Sequence, residues 1–154
     1  MGHWAFSAPW YSEQVAHVLI AADLAPLRDQ VRSMIEGPEM TCEEVSSGPA
    51  VVERVRLGGV DLVVCDTQMG SMGGFAVGTE LRNEESYGAL PPTGFLLLLD
   101  RRADVFLARR IGVDGFVVKP LDALRVRRAV RTVLANEYFE DEYLQPATLS
   151  ADRR

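Results

Sequence analysis

Short unbroken apolar runs alternate along this chain with longer stretches in which apolar residues return every three or four positions. Val15 to Ala22 is apolar except at His17, and the stretch after it sets Leu27, Val31, Met34 and Ile35 at helical spacing. A strand followed by an amphipathic helix is predicted. Met40 to Val45 is a shorter candidate strand. Ser47-Gly48-Pro49 reads as a helix start with proline in the first turn, Val51, Val52 and Val55 continue it, and Gly58-Gly59 ends it. Asp61 to Cys65 predicts a third strand, Phe75 to Arg82 a third helix, and Tyr87 to Gly94, with Pro91-Pro92 inside it, a loop. Phe95 to Leu99 supplies a fourth strand, Ala103 to Arg110 a helix stopped near Gly112, and Gly115 to Val118 a fifth strand. The last helix runs from Leu121 to about Glu137 and sets Val126, Val130, Val133 and Leu134 along one stripe.

Five strands thus alternate with five helices, and most of the strands are apolar on both faces. Strands of that kind belong to parallel sheets covered on each side. The fold class expected is α/β, a doubly wound five-stranded parallel sheet flanked by five helices, flavodoxin-like. In such sheets the ligand site lies outside the C-terminal strand ends, where strand order reverses. Those ends are Ala22-Asp23, Asp66, Leu99-Asp100 and Lys119-Pro120. Two carboxylates, Asp23 and Asp66, and the Lys119 ammonium are expected along one edge.

Composition narrows the setting. A length of 154 residues suits one domain with its own core, expected over 15–137, with an N-terminal extension at 1–14 and a C-terminal tail at 138–154. Cys42 and Cys65 lie inside apolar runs, as buried free thiols do, and a reducing, cytoplasmic location is expected. The longest apolar run, Phe95 to Leu99, is too short to span a bilayer, so no membrane role is expected. A formal charge of −6 argues against nucleic acid as a partner. The chain has fifteen arginines and a single lysine, Lys119. One lysine at a strand end before proline points to a role that wants a compact ammonium rather than a planar guanidinium.

Asp23 and Asp66 together would make a hard oxygen site suited to Mg²⁺, which takes few protein ligands and keeps several waters. A carboxylate can also act as a nucleophile toward phosphorus, with Lys119 neutralising the phosphoryl charge. A lone Asp after a strand is more often a turn former or helix cap; the set of three at one edge shifts the balance.

The stretches VLIAADLAPLRDQVRSMIE, DLVVCDTQMGSMGGF and GVDGFVVKP resemble, in order and spacing, three segments of the receiver domain of two-component response regulators, a CheY-like family. The resemblance covers residues 15–137. It implies that Asp66 accepts a phosphoryl group, that Mg²⁺ is held by Asp23, Asp66 and the backbone carbonyl of Gln68, and that Lys119 contacts the phosphoryl group. It also implies a cis peptide before Pro120, a bond that is costly elsewhere. The partners implied are a histidine kinase or phosphotransfer protein and a downstream protein, and the role is signalling rather than enzymatic.

Departures from the family pattern qualify this. Ala22 stands where the family usually has another acid, which lowers the expected Mg²⁺ affinity. Leu98 or Leu99 is expected where the family has a hydroxyl residue, and neither donates a hydrogen bond. Gly70 and Gly73 replace the common Pro and Asp and are expected to loosen their loop. Phe116 sits at the aromatic switch position. Two readings follow: an atypical single-domain receiver phosphorylated on Asp66, or a pseudo-receiver that works as an interaction or dimerisation module without phosphorylation. A flavodoxin-like enzyme is disfavoured, because the chain has no phosphate-cradling glycine motif, nucleophile elbow or His/Cys cluster.

Elsewhere the expectations are modest. His17 is expected to be satisfied within the fold rather than to ligate metal. Trp4, Phe6 and Trp10 are expected to pack against the body or a second copy. Arg125, Arg127, Arg128 and Arg131 form either a solvated helix face or part of a homodimer interface across the last two helices.

Overall fold

A computed structural model describes residues 14–141 of the chain. The expectations for Trp4, Phe6 and Trp10 and for the end of the tail lie outside the described residues. The chain runs β1 (Ala16–Ala21), α1 (Ala25–Ile35), β2 (Met40–Val45), α2 (Gly48–Arg56), β3 (Leu62–Asp66), α3 (Gly74–Ser86), β4 (Gly94–Leu99), α4 (Val105–Ile111), β5 (Gly115–Val118), α5 (Ala123–Leu134) and β6 (Phe139–Glu140), with a 3-10 turn at Arg102–Asp104 before α4. The strands form one parallel sheet in the order β2-β1-β3-β4-β5-β6.

The alternation along each strand decides which helix it meets. Val63, Cys65, Phe95, Leu97, Leu99, Phe116 and Val118 face α2, α3 and α4 in one core. Val18, Ile20, Leu62, Val64, Leu96, Leu98 and Val117 face α1 and α5 in the other. The four buried apolar residues of β3 are therefore split between two cores by the period-2 geometry of a strand. Each fully buried Leu or Val removes apolar surface from water worth about 2 kcal/mol. Polar side chains cap the starts of α2 and α5. Ser47 accepts from the Ala50 N–H at 3.3 Å, and Asp122 accepts from the Arg125 N–H at 2.9 Å.

Element order agrees with the sequence pattern, while several bounds differ. Helix α3 runs four residues past Arg82, to Ser86, and the last helix stops at Leu134 rather than near Glu137. The chain turns there through Asn136, at φ 63°, and adds β6 beside β5. Residues 138–141 are thus packed against the sheet, past the expected boundary at 137. Phe139 is buried in the α5-side core, Glu140 pairs with Arg109 of α4 at 2.7 Å, and Asp141 accepts from the Val118 N–H at 2.8 Å and pairs with Arg125 of α5. A two-residue strand inside NEYFEDE has too little periodicity to be visible in the sequence.

Both cysteines are free. Burial, followed by the charge of Glu36, pushes the Cys42 thiol up from 9.0 to about 11, and burial pushes Cys65 up as well. Only the thiolate reacts, and raising the Cys42 pKa from 9.0 to about 11 lowers the thiolate fraction about a hundredfold near pH 8. Native protein is therefore expected to react with a disulfide reagent about a hundred times more slowly than denatured protein. A native Cys65→Ser variant whose Cys42 reacts at the rate of an ordinary exposed thiol would show this to be wrong.

No helix among the described residues is long and apolar enough to cross a membrane. His17 bridges the Thr41 hydroxyl and the Glu43 carboxylate, each at 2.8 Å, so its ring is satisfied within the fold.

Candidate functional site

Strand order reverses between β1 and β3, so the C-terminal ends of β1, β3, β4 and β5 share one edge of the sheet. Asp66 is the last residue of β3 and is only 5% exposed. Lys119 directly follows β5, where its N–H is held by the Leu99 carbonyl at 2.8 Å and its peptide bond to Pro120 is cis. From that position the Lys119 ammonium donates to Asp66 Oδ1 at 2.7 Å and to Asp100 Oδ1 at 2.9 Å. The other oxygen of Asp100 accepts from the Thr67 hydroxyl at 3.2 Å.

Asp23 follows β1 and is exposed. Its Oδ1 accepts from the Gly70 N–H at 3.3 Å, which ties it to the loop after Asp66. Arg28 of α1 holds the loop between β1 and α1, donating to the carbonyls of Ala22 at 2.6 Å and Asp23 at 3.0 Å. Gln68, expected to offer its backbone carbonyl, lies in the same loop as Gly70 and is exposed.

Electrostatics at the edge are dominated by one cation between two acids. Burial works against the Lys119 ammonium, but the hydrogen bonds and charges of Asp66 and Asp100 outweigh it and hold the group above the usual lysine range. Burial likewise opposes ionisation of Asp100, and Lys119, with Gln68 and Thr67, outweighs it to hold this carboxyl below the usual range.

The structure brings Asp66 and Lys119 into direct contact and links Asp23 to the same loop. It also adds to two readings made from the sequence. Leu98 and Leu99 do not face the site, because each is buried in one of the two cores. Register pairs Leu99 with Val118, and the next residue on each strand, Asp100 and Lys119, are the side chains in contact. Choosing among Leu98, Leu99 and Asp100 required that register. Gly73 is not simply a loosened position either. A Cβ there would lie 2.7 Å from the Thr67 carbonyl oxygen, so the loop needs close backbone approach. Phe116 is fully buried between β4 and α4.

Among the described residues no group of three His, Cys, Asp or Glu side chains is placed to hold a metal. Ala22, 1% exposed, supplies no third acid. Two carboxylates and a backbone carbonyl remain, an all-oxygen set whose chemistry suits Mg²⁺ completed by water. A cleft of about 760 Å³ lies at the opposite end of the sheet, lined by Asp61, Arg82, Gly94 and Asp114 among others. Arg82 there is already bound to Glu85 and Asp114, and the cleft is remote from Asp66. The strand-end edge is therefore the better functional candidate.

The response regulator receiver domain family matches residues 18–131. An uncharacterized response regulatory protein of Mycobacterium tuberculosis is 27% identical over 129 residues, covering 80% of this chain and 94% of that protein. The transcriptional regulatory protein YvrH of Bacillus subtilis is 26% identical over 138 residues, covering 89% of this chain but only 56% of its own length. The signal receiver domain of NarL from Mycobacterium tuberculosis has the same fold, with a TM-score of 0.70 at 24% identity over 79% of this chain and 98% of that one.

Proposed function

Because the chain belongs to the family of response regulator receiver domains, signalling modules of two-component systems, we propose that Asp66 is its phosphoacceptor. The observation that carries this reading is the contact between the Asp66 carboxylate and the Lys119 ammonium, 2.7 Å apart at the strand-end edge. Asp66 is held on a rigid strand with one oxygen oriented by Lys119. Attack of a carboxylate oxygen on a phosphoryl donor forms an acyl phosphate and releases the donor's leaving group with its electron pair. Lys119 then opposes the charge on the transferred group. Asp23, Asp66 and the Gln68 carbonyl are the residues that would hold Mg²⁺. When bound, the cation supplies further charge compensation at the phosphoryl oxygens.

In this reading the chain acts as an atypical, single-domain receiver in the cytoplasm. It takes its phosphoryl group from a histidine kinase or phosphotransfer protein and signals by protein contacts. A homodimer across α4 and α5 is a compatible form of output, and Phe106 and Leu124 are exposed apolar residues on those helices. The second reading, a pseudo-receiver that binds partners without phosphorylation, is favoured by Ala22 and by the Asp100 carboxylate that shares Lys119.

Intact-mass measurement after incubation with acetyl phosphate and Mg²⁺ separates the two. One phosphoryl adduct is expected in the wild type and none in Asp66→Asn. An adduct retained in Asp66→Asn would move the acceptor to another residue. A wild type that never gains mass, even with a cognate kinase, would leave the pseudo-receiver reading in its place.

A further inference from the structure

We propose that Asp100 competes with the phosphoryl group for Lys119 and thereby restrains phosphoryl transfer to Asp66, an inference that rests on the phosphoacceptor reading of Asp66. Asp100 is the first residue after β4, and both of its oxygens are engaged. One takes an N–H of Lys119 at 2.9 Å and the other takes the Thr67 hydroxyl at 3.2 Å. The carboxylate is therefore fixed between the end of β5 and the residue that follows Asp66. Lys119 has three N–H donors, and carboxylates occupy two of them.

Two carboxylates sharing one ammonium carry one net negative charge. Transfer from an acyl phosphate such as acetyl phosphate forms a bond between an Asp66 oxygen and phosphorus. It breaks the donor's P–O bond, and the electron pair leaves with acetate, so no proton is consumed. The Asp66 side chain changes from a monoanion to an acyl phosphate dianion, while Asp100 keeps its charge beside it. The new oxygens can take the N–H now given to Asp66 and the one left over, while the third stays with Asp100 unless that carboxylate is displaced from the ammonium. A neutral hydroxyl at position 100 would free a Lys119 donor, add a donor of its own and remove the adjacent like charge. Arg28 is committed to the carbonyls of Ala22 and Asp23 and to Glu44, and Arg101, whose charge Asp100 feels, pairs with Asp104.

The test compares wild type, Asp100→Asn and Asp100→Thr, using acetyl phosphate with Mg²⁺ and the initial rate of adduct formation by intact mass. Both variants are expected to be phosphorylated at least tenfold faster than wild type, and Asp66→Asn combined with Asp100→Thr is expected to give no adduct. A second readout uses the fact that Lys119 is the chain's single lysine, so selective labelling yields one side-chain nitrogen signal. Its order parameter is expected to fall in Asp100→Asn, which a purely structural effect elsewhere would not cause. Equal rates in all three proteins, or slower transfer in the variants, would overturn the role of Asp100 while leaving Asp66 as acceptor. No adduct in any of them would overturn the phosphoacceptor reading and the restraint with it.

Discussion

Substituting Gly74 by alanine is expected to lower the stability of the fold by about 2–3 kcal/mol, against the usual preference for alanine in a helix. Gly74 opens α3 with ordinary backbone angles available to any residue, so space rather than conformation makes it necessary. A Cβ at this position would lie 2.5 Å from the Asp66 carbonyl oxygen, 2.8 Å from Leu97 Cδ2 and 3.0 Å from Thr67 Cα. Two of those atoms are backbone and cannot swing away. Replacing glycine inside a helix gains at most about 1 kcal/mol of propensity, less at the first turn, so the overlap wins. Relief requires α3 to move off the end of β3, which shifts Asp66 itself. Urea denaturation is the measurement, with a lower midpoint at unchanged slope expected. Gly70→Ala is the control, because its Cβ would meet only Asp23 Oδ2, at 3.9 Å, and should change stability by less than about 0.5 kcal/mol. Equal midpoints for Gly74→Ala and Gly70→Ala would refute the close-approach account.

Removing the Asp141 carboxylate is expected to cost about 3 kcal/mol and to release β6. The side chain has no solvent exposure, and it serves both the Val118 N–H and the Arg125 guanidinium. Asp141→Ala leaves a buried N–H unpaired and takes a carboxylate from an arginine whose side chain is 12% exposed. Breaking one side of a buried pair is normally worth about 3–5 kcal/mol. The lower end applies here, because Arg125 keeps Asp122 at 2.7 Å and the Val118 carbonyl at 3.3 Å. Asp141→Asn keeps an acceptor for Val118 and should lose about half as much. Amide exchange provides the local check. The Phe139 N–H, which donates to the Asp114 carbonyl at 3.0 Å, should lose protection in Asp141→Ala while the β3 amides keep theirs. Uniform loss across the sheet would mean that Asp141 supports the whole fold rather than anchoring β6.

The sequence alone carried the alternation of the main elements, the parallel sheet and the placement of Asp66, Asp23 and Lys119 at its strand ends, because those features are written in local chemistry. An unbroken apolar run such as LVVC must be covered on both faces, and an acid or lysine at its end has nowhere to go but the exposed strand edge. Asp66, Asp23 and Lys119 were legible for that reason. Tertiary structure decided what depends on register and on distant atoms. Which residue of LLLLD confronts Lys119 follows from the pairing of Leu99 with Val118, which sets Asp100 beside Lys119. Gly73 reads as a loosened loop position until the Thr67 carbonyl is seen beneath it, and the need for glycine at Gly74 shows only with the Asp66 carbonyl in place. The strand β6 exists because Asp141 finds Arg125 and the Val118 N–H across the fold, partners that no window of NEYFEDE contains.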